Sequence, residues 1–221
     1  TDQQKGSLLA FVAVIFITPD SLFIRLSSID TWGLVFYRGI IPFVSVFLVM
    51  LIIYKLNFFK ILFASGYHGI LYVAVFSITN ITFVVSIQNT NVANTLVMVA
   101  TAPMLSAILG SLVLKEPPDK KTWVSIAITF FSIIYIFSDS FKLGNLYGDF
   151  LGFITAIGLA VGAVVIRSAK SKNLVPAAVV GKLFVGTFAL FFIESFLLEN
   201  RDLIIVPLMC IICVAIPFVL V

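Results

Sequence analysis

The chain has 221 residues, of which 61% are hydrophobic and only 11% charged, with a mean hydropathy of +1.19. A soluble domain carries about 25% charged residues, and 23 phenylalanines are more than a water-soluble core of this size hides. The net charge of +4 sits in short polar links between long unbroken apolar runs, which excludes a β-barrel and makes the charge an orientation signal rather than a nucleic-acid footprint.

An all-α, polytopic transmembrane bundle is predicted, with eight spans. Thr1 stands where a Met is expected, which predicts a trimmed start. The first span is Gly6 to Leu26; a signal peptide competes for it, but no small-residue cleavage site follows. It holds Thr18-Pro19-Asp20 and Arg25 in its second half. Trp32 to Tyr54 is the second span, with Arg38 and Pro42 inside it, and Lys55 and Lys60 bound a basic loop. Gly69 to Ile87 is the third, with Asn80 inside. Val92 to Leu114 is the fourth, 23 residues without a charge, enough at about 1.5 Å each to cross a core of roughly 30 Å. Pro103 is a weak point near its middle, and Lys115-Glu116-Pro117-Pro118 ends it. Thr122 to Ser138 is the fifth and is short for a perpendicular crossing. Gly148 to Ile166, Val175 to Leu198 and Leu203 to Val221 are the sixth, seventh and eighth.

With the N-terminus cytoplasmic, the inner links hold nine basic residues and the outer links three, Arg25, Lys142 and Arg201. That positive-inside bias sets the orientation. Gly6, Phe11 and Arg25 match Gly148, Phe153 and Arg167 at a constant offset of 142, and Arg38 falls near Lys182. A unit of about 140 residues with five helices is implied, and an odd helix number forces successive units into opposite orientations. Residues 1–140 are the first unit and 141–221 an incomplete second one, so eight of ten helices are present and about 65 to 70 residues are expected beyond Val221.

The central Pro103, the Glu116 at the inner end of that helix, the short basic turn and the apolar helix after it resemble the fourth and fifth helices of EamA-type transporters of the drug/metabolite transporter superfamily. The resemblance implies two inverted five-helix units and a secondary transporter working by alternating access. It also implies a small-metabolite substrate, amino acids or related compounds, with export commoner than import, in a bacterial inner membrane. A non-transporting structural or assembly membrane protein is the rival reading, and a lipid-acting membrane enzyme would need a polar catalytic cluster that is not visible.

The candidate substrate-binding residues follow from the cost of polarity in lipid. Arg38 and Lys182 lie inside spans, where a charge is normally turned to a partner or a wet cavity. Both can hold an anionic group at one cavity, or snorkel to the nearer interface. Asp20 lies at a depth similar to Arg38 on the adjacent helix, which favours a structural pair over a proton relay, yet it is the best carboxylate for proton coupling. Asn80, Asn94 and Thr101 can line a pathway or bond between helices. Trp32 and Tyr37 suit an interfacial belt or a substrate stack. Gly148 with Gly152, and Gly158 with Gly162, are small-residue pairs read as packing devices; Pro103 and Glu116 are read as architectural. Cys210 and Cys213 have redox spacing but lie in an apolar span, and His68 lacks metal-site partners. No cofactor, metal, catalytic residue or phosphate-binding loop is expected; the partners expected are a small-molecule substrate and the lipid bilayer, with no nucleic acid. The sequence carries no signal for oligomeric state.

Overall fold

The computed structural model describes residues 2–55, 57–115, 118–143, 145–170 and 172–220, and every regular element among them is helical. In chain order these are α1 (Asp2–Ile17), α2 (Asp20–Leu26), α3 (Thr31–Tyr54), α4 (Asn57–Asn89), α5 (Val92–Ala100), α6 (Ala102–Val113), α7 (Lys120–Leu143), α8 (Leu146–Ser168), α9 (Val175–Ala189), α10 (Asp202–Met209), a π-helical stretch Cys210–Ala215 and α11 (Ile216–Leu220). Six helical stretches among the described residues are long and apolar enough to cross a bilayer: Gly6–Leu26, Thr31–Tyr54, Asn57–Asn89, Val92–Val113, Leu146–Ser168 and Asp202–Val219. Continuous helices answer the demand of lipid that each backbone polar group be satisfied within its own segment.

The breaks fall where the sequence weakens the helix. Pro19 has no N–H to give, and the first span divides there into α1 and α2, with the Thr18 hydroxyl bonding back to the Val14 carbonyl at 2.8 Å. The fourth span divides at Thr101, with Pro103 in the first turn of α6, the position where a missing N–H costs least.

Three boundaries differ from expectation. The loop expected between Lys55 and Lys60 is helical from Asn57, and the chain turns instead inside α4 at Gly66, whose φ of +56° suits a residue without a Cβ. The helix holding the fifth span extends beyond Thr122–Ser138 at both ends, since α7 has 24 residues, about 36 Å of rise. It is not among the six stretches apolar enough to cross. The seventh span was expected to reach Leu198, but α9 stops at Ala189 and residues 193–199 carry no helix. The cause is side-chain capture of that strand of chain, described with the site. Glu116 and Pro117 lie outside the described residues.

Two compact units form, and each is described by itself. The first comprises residues 1–61 with 178–221. In it α3 packs along the π-helical stretch and α1 along α11. At the crossing of α3 with α9, a Cβ on Gly39 would lie 2.3 Å from the Gly186 amide nitrogen, so the backbones touch. The second unit is residues 62–177, with α8 at its centre against α5 and α6. These contact units differ from the repeat division expected at 140/141, which rests on sequence matching alone.

The small-residue pairs on α8 are used unequally. A Cβ on Gly148 would meet the Asn89 carbonyl carbon at 2.6 Å, and one on Gly152 the Ser86 hydroxyl at 3.0 Å; one on Gly158 would meet the Thr79 hydroxyl at 2.1 Å. At Gly162 the nearest atom, on Tyr72, is 3.7 Å away, an ordinary contact. Gly148→Ala is therefore expected to cost about 1–3 kcal/mol by overpacking against backbone. Gly162→Ala is expected to be neutral or to stabilise by up to about 1 kcal/mol through helix propensity. Unfolding midpoints in detergent check the order, and equal midpoints for the two variants sink it.

The turn before α7 is capped by Asp119, whose carboxylate accepts from the Thr122 amide at 2.8 Å and from its hydroxyl at 2.5 Å. Those two bonds hold the exposed Asp119 carboxyl below its ordinary range. A depressed folded-state value contributes stability that is present at neutral pH and lost as pH falls through it. Asp119→Ala, or acidification below the carboxylate range, is expected to speed hydrogen exchange at the first amides of α7. No change in those amides would remove the cap.

Candidate functional site

In the first unit the helix break at Thr18–Pro19 lets Asp20 open α2, facing Arg38 of α3. The guanidinium meets the carboxylate at both ends: Nη1 donates to Oδ1 and Nη2 to Oδ2, the latter at 3.0 Å. Both residues are buried, at 5% and 6% exposure. A fork-to-fork pair is the geometry in which arginine tolerates loss of water, because every bond is charge-assisted and planar. The pair expected from adjacent helices at matched depth is therefore formed.

Lys182 of α9 joins it. It is 5% exposed and lies within electrostatic reach of Arg38, Asp20 and Cys210. The Gly39–Gly186 contact explains its depth, since α9 approaches α3 closely enough that a Cβ on Gly39 would sit 2.9 Å from the Lys182 carbonyl oxygen. Pro42, Val46, Val179, Val214 and Phe218 form, with Lys182, the wall of a narrow apolar crevice. Two cations and one carboxylate thus share a buried region with a formal charge of +1. Its other neighbour is the π-helical stretch, a backbone form that gathers at functional positions; Cys210 at its start puts its thiol 3.5 Å from the Tyr37 carbonyl.

Trp32 and Tyr37 hold a strand of chain. The Tyr37 hydroxyl donates to the Phe196 carbonyl at 2.7 Å, and the Trp32 ring stacks on Phe192 at 4.6 Å and tilts against Phe188 at 6.1 Å. Below them the Ser28 hydroxyl donates to Asp202 at 2.7 Å and the Ser28 amide to the same carboxylate at 3.2 Å. Bonded through a carbonyl and stacked through a ring, residues 190–199 do better against α3 than by prolonging α9. The aromatic-belt reading and the stacking reading of these two residues both gain an intramolecular partner.

The expected polar residues of the third and fourth spans lie in the second unit. The Asn80 amide bonds the Phe76 carbonyl of its own helix at 2.7 Å. The buried Thr101 bonds the Met98 carbonyl at 2.6 Å, capping the break. Asn94 reaches Asp149 of α8, donating at 3.3 and 3.4 Å to the two carboxylate oxygens. Beside the break, an open cleft of about 340 Å³ is walled by Pro103 and Met104 on one side and by Thr122, Ser125 and Thr129 of one α7 face on the other.

Two acids were not picked out as site residues from sequence. Asp149 and Asp202 are both fully buried, each in the first turn of its helix. A lone acid opening an apolar span, with Thr90 and Asn94 in a polar run elsewhere, is the one signal that could have found Asp149.

The profile of the EamA-like transporter family matches residues 4–138, more than half of the chain. No curated protein and no solved structure matches it.

Proposed function

The chain belongs to the EamA-like transporter family, a multi-pass membrane protein of drug/metabolite transporter type, and on that premise we propose that it carries small metabolites across the membrane as a secondary transporter. The proposed substrates are amino acids or related compounds with an anionic group, and the direction is export from a bacterial cytoplasm. The observation that carries the substrate reading is the buried excess of one positive charge made by Asp20, Arg38 and Lys182. Lys182, buried beside the forked Asp20–Arg38 pair, is proposed as the group that meets a substrate carboxylate. Desolvated charge is expensive enough in a membrane interior that it is normally put to use. The cleft beside Pro103, the bonds of Asn80, Asn94 and Thr101, and the aromatic clasp of Trp32 and Tyr37 are proposed as parts of the passage and its closure.

Alternating access is proposed to come from two inverted repeats, 1–140 and 141–221, rocking about a mid-membrane site. In support, the family match over 4–138 lies entirely within the proposed first repeat. The basic residues support an N-terminus on the cytoplasmic side.

Counterflow in proteoliposomes tests the reading, with a pool of radiolabelled amino acids and small organic acids. Wild-type flux above that of empty liposomes is expected, with Lys182→Met lowering it at least tenfold while leaving the neutral Asp20–Arg38 pair in place. Full flux in Lys182→Met removes the anion site. No flux in the wild type, whatever the pool member, favours the structural alternative. Cysteine labelling at positions 55 and 120 from outside intact cells reverses the topology if it succeeds.

A further inference from the structure

The open cleft of about 340 Å³ beside the α5–α6 break lies wholly within the second unit. Its volume falls in the roughly 300–1,000 Å³ range of small-molecule sites. One wall is a face of α7. Thr122, Ser125 and Thr129 follow at helical spacing and so stand on one side of the helix, while Val124, Ile128 and Phe131 take the other at 61%, 63% and 70% exposure. α7 thus turns hydroxyls towards the α5–α6 break and apolar side chains away from it. Pro103 and Met104 form the facing wall, and Asp119 and Lys121 line the end where α7 begins.

The protons on that hydroxyl face are already spent. A hydroxyl has one proton to give and two lone pairs to offer. Thr122 donates to Asp119 Oδ1 at 2.5 Å, Ser125 to the Lys121 carbonyl at 3.2 Å and Thr129 to the Ser125 carbonyl at 2.8 Å. What the wall presents to the cleft is therefore lone pairs. Asp119 adds a carboxylate that its bonds to Thr122 keep ionised at neutral pH. Among the described residues lining the cleft Lys121 is the one cation; it is exposed, and its stem lets the charge stay in water.

A wall of acceptors selects a donor, and the spacing selects its kind. Side chains three or four positions apart on a helix have Cβ atoms about 5–6 Å apart. A primary ammonium has three N–H groups and bonds oxygen at about 2.7–2.9 Å, so one such group fits between two neighbouring hydroxyls of the ladder and bonds both. A quaternary ammonium brings the same charge but no N–H, and an anion would meet lone pairs and a carboxylate.

We propose, resting on the transport reading above, that this cleft binds the primary ammonium group of a small organic amine, amino acids included. The hydroxyls of Thr122, Ser125 and Thr129 accept its N–H groups, Asp119 supplies the counter-charge, and the carbon body of the ligand lies against Pro103 and Met104.

The test is equilibrium binding to the full chain in detergent, by calorimetry, with phenethylammonium as probe and its N,N,N-trimethyl derivative for comparison. Titration of protein-free micelles removes partitioning from both. The wild type is expected to bind the primary ammonium about tenfold or more tightly than the trimethyl form, since hydrogen bonds to a charged group are at stake. Ser125→Ala with Thr129→Val removes two acceptors and leaves the Asp119 cap, and is expected to erase that preference. Thr129→Ser, which keeps the acceptor, and Ser132→Ala, on the same stripe but outside the lining, are expected to retain it. Equal affinity for the two probes in the wild type, or an undiminished preference in the double variant, overturns the site and leaves transport standing. A preference that behaves as expected in a protein without counterflow overturns the transport reading alone.

Discussion

Asp20→Asn is expected to be the most damaging single substitution in the charged cluster, costing about 3–5 kcal/mol of stability. Buried charge sets the order. The native cluster holds Asp20 against Arg38 and Lys182, so its formal charge is +1. Removing the carboxylate leaves two buried cations facing each other, at +2, with no fork for the guanidinium to enter. Arg38→Met leaves Asp20 against Lys182, at zero, and is expected to cost less although it deletes the better-bonded partner. Lys182→Met leaves the forked pair intact and is expected to cost least. Thermal unfolding in detergent of the three variants gives the order. If Arg38→Met is worse than Asp20→Asn, then pair geometry dominates and Lys182 is too far away to neutralise Asp20. The double variant Asp20→Asn with Arg38→Met returns the cluster to +1 and is expected to recover part of the loss.

Much of this fold is legible because lipid restricts the alternatives. Where an apolar run of about 20 residues is the only signal, length and composition suffice, and the spans at α3, α4, α8 and α10 onward follow from them. Prolines mark local weakness through a missing N–H, and both Pro19 and Pro103 do so here. Depth matching on adjacent helices is simple arithmetic, which is why the Asp20–Arg38 pair was within reach. What was not legible depends on tertiary company. Nothing local in Leu190-Phe191-Phe192 marks the end of a helix; Trp32 and Tyr37, more than 150 positions earlier, engage Phe192 and Phe196 just beyond it by stacking and bonding. Asp149 reads as an ordinary helix-start acid until Thr90 and Asn94 are seen to enclose it. Gly66 lies in a mostly apolar stretch between Lys60 and the third span, and only its positive φ shows a turn between two helical runs. The equal spacing of the glycines on α8 likewise hides that Gly148 is pressed on backbone while Gly162 is not.

The contact of Gly39 with Gly186 was missed for the same reason, and it supports the second large expected effect. Gly39→Ala is expected to part α3 from α9. The added Cβ would lie 2.3 Å from the Gly186 nitrogen and 2.6 Å from its Cα, distances that real Cβ atoms do not adopt. Neither atom belongs to a side chain that can swing aside, so a helix must move. Overpacking of this kind costs about 1–3 kcal/mol when the surroundings can partly yield, and here the upper end is expected. Because α9 carries Lys182 and α3 carries Arg38, the same displacement separates the two cations and should depress flux even in the fraction that stays folded. Gly186→Ala is the control. Its Cβ would meet the Ile40 Cδ1 at 2.6 Å and Cγ1 at 2.7 Å, both side-chain atoms, with the Ile40 amide at a tighter-than-usual 3.2 Å. A rotamer change at Ile40 relieves most of that clash, so the loss is expected to be clearly smaller. Unfolding midpoints and counterflow on both variants decide it. Equal losses would mean that α3 and α9 slide freely past each other, and the depth of Lys182 would then need a cause other than this crossing.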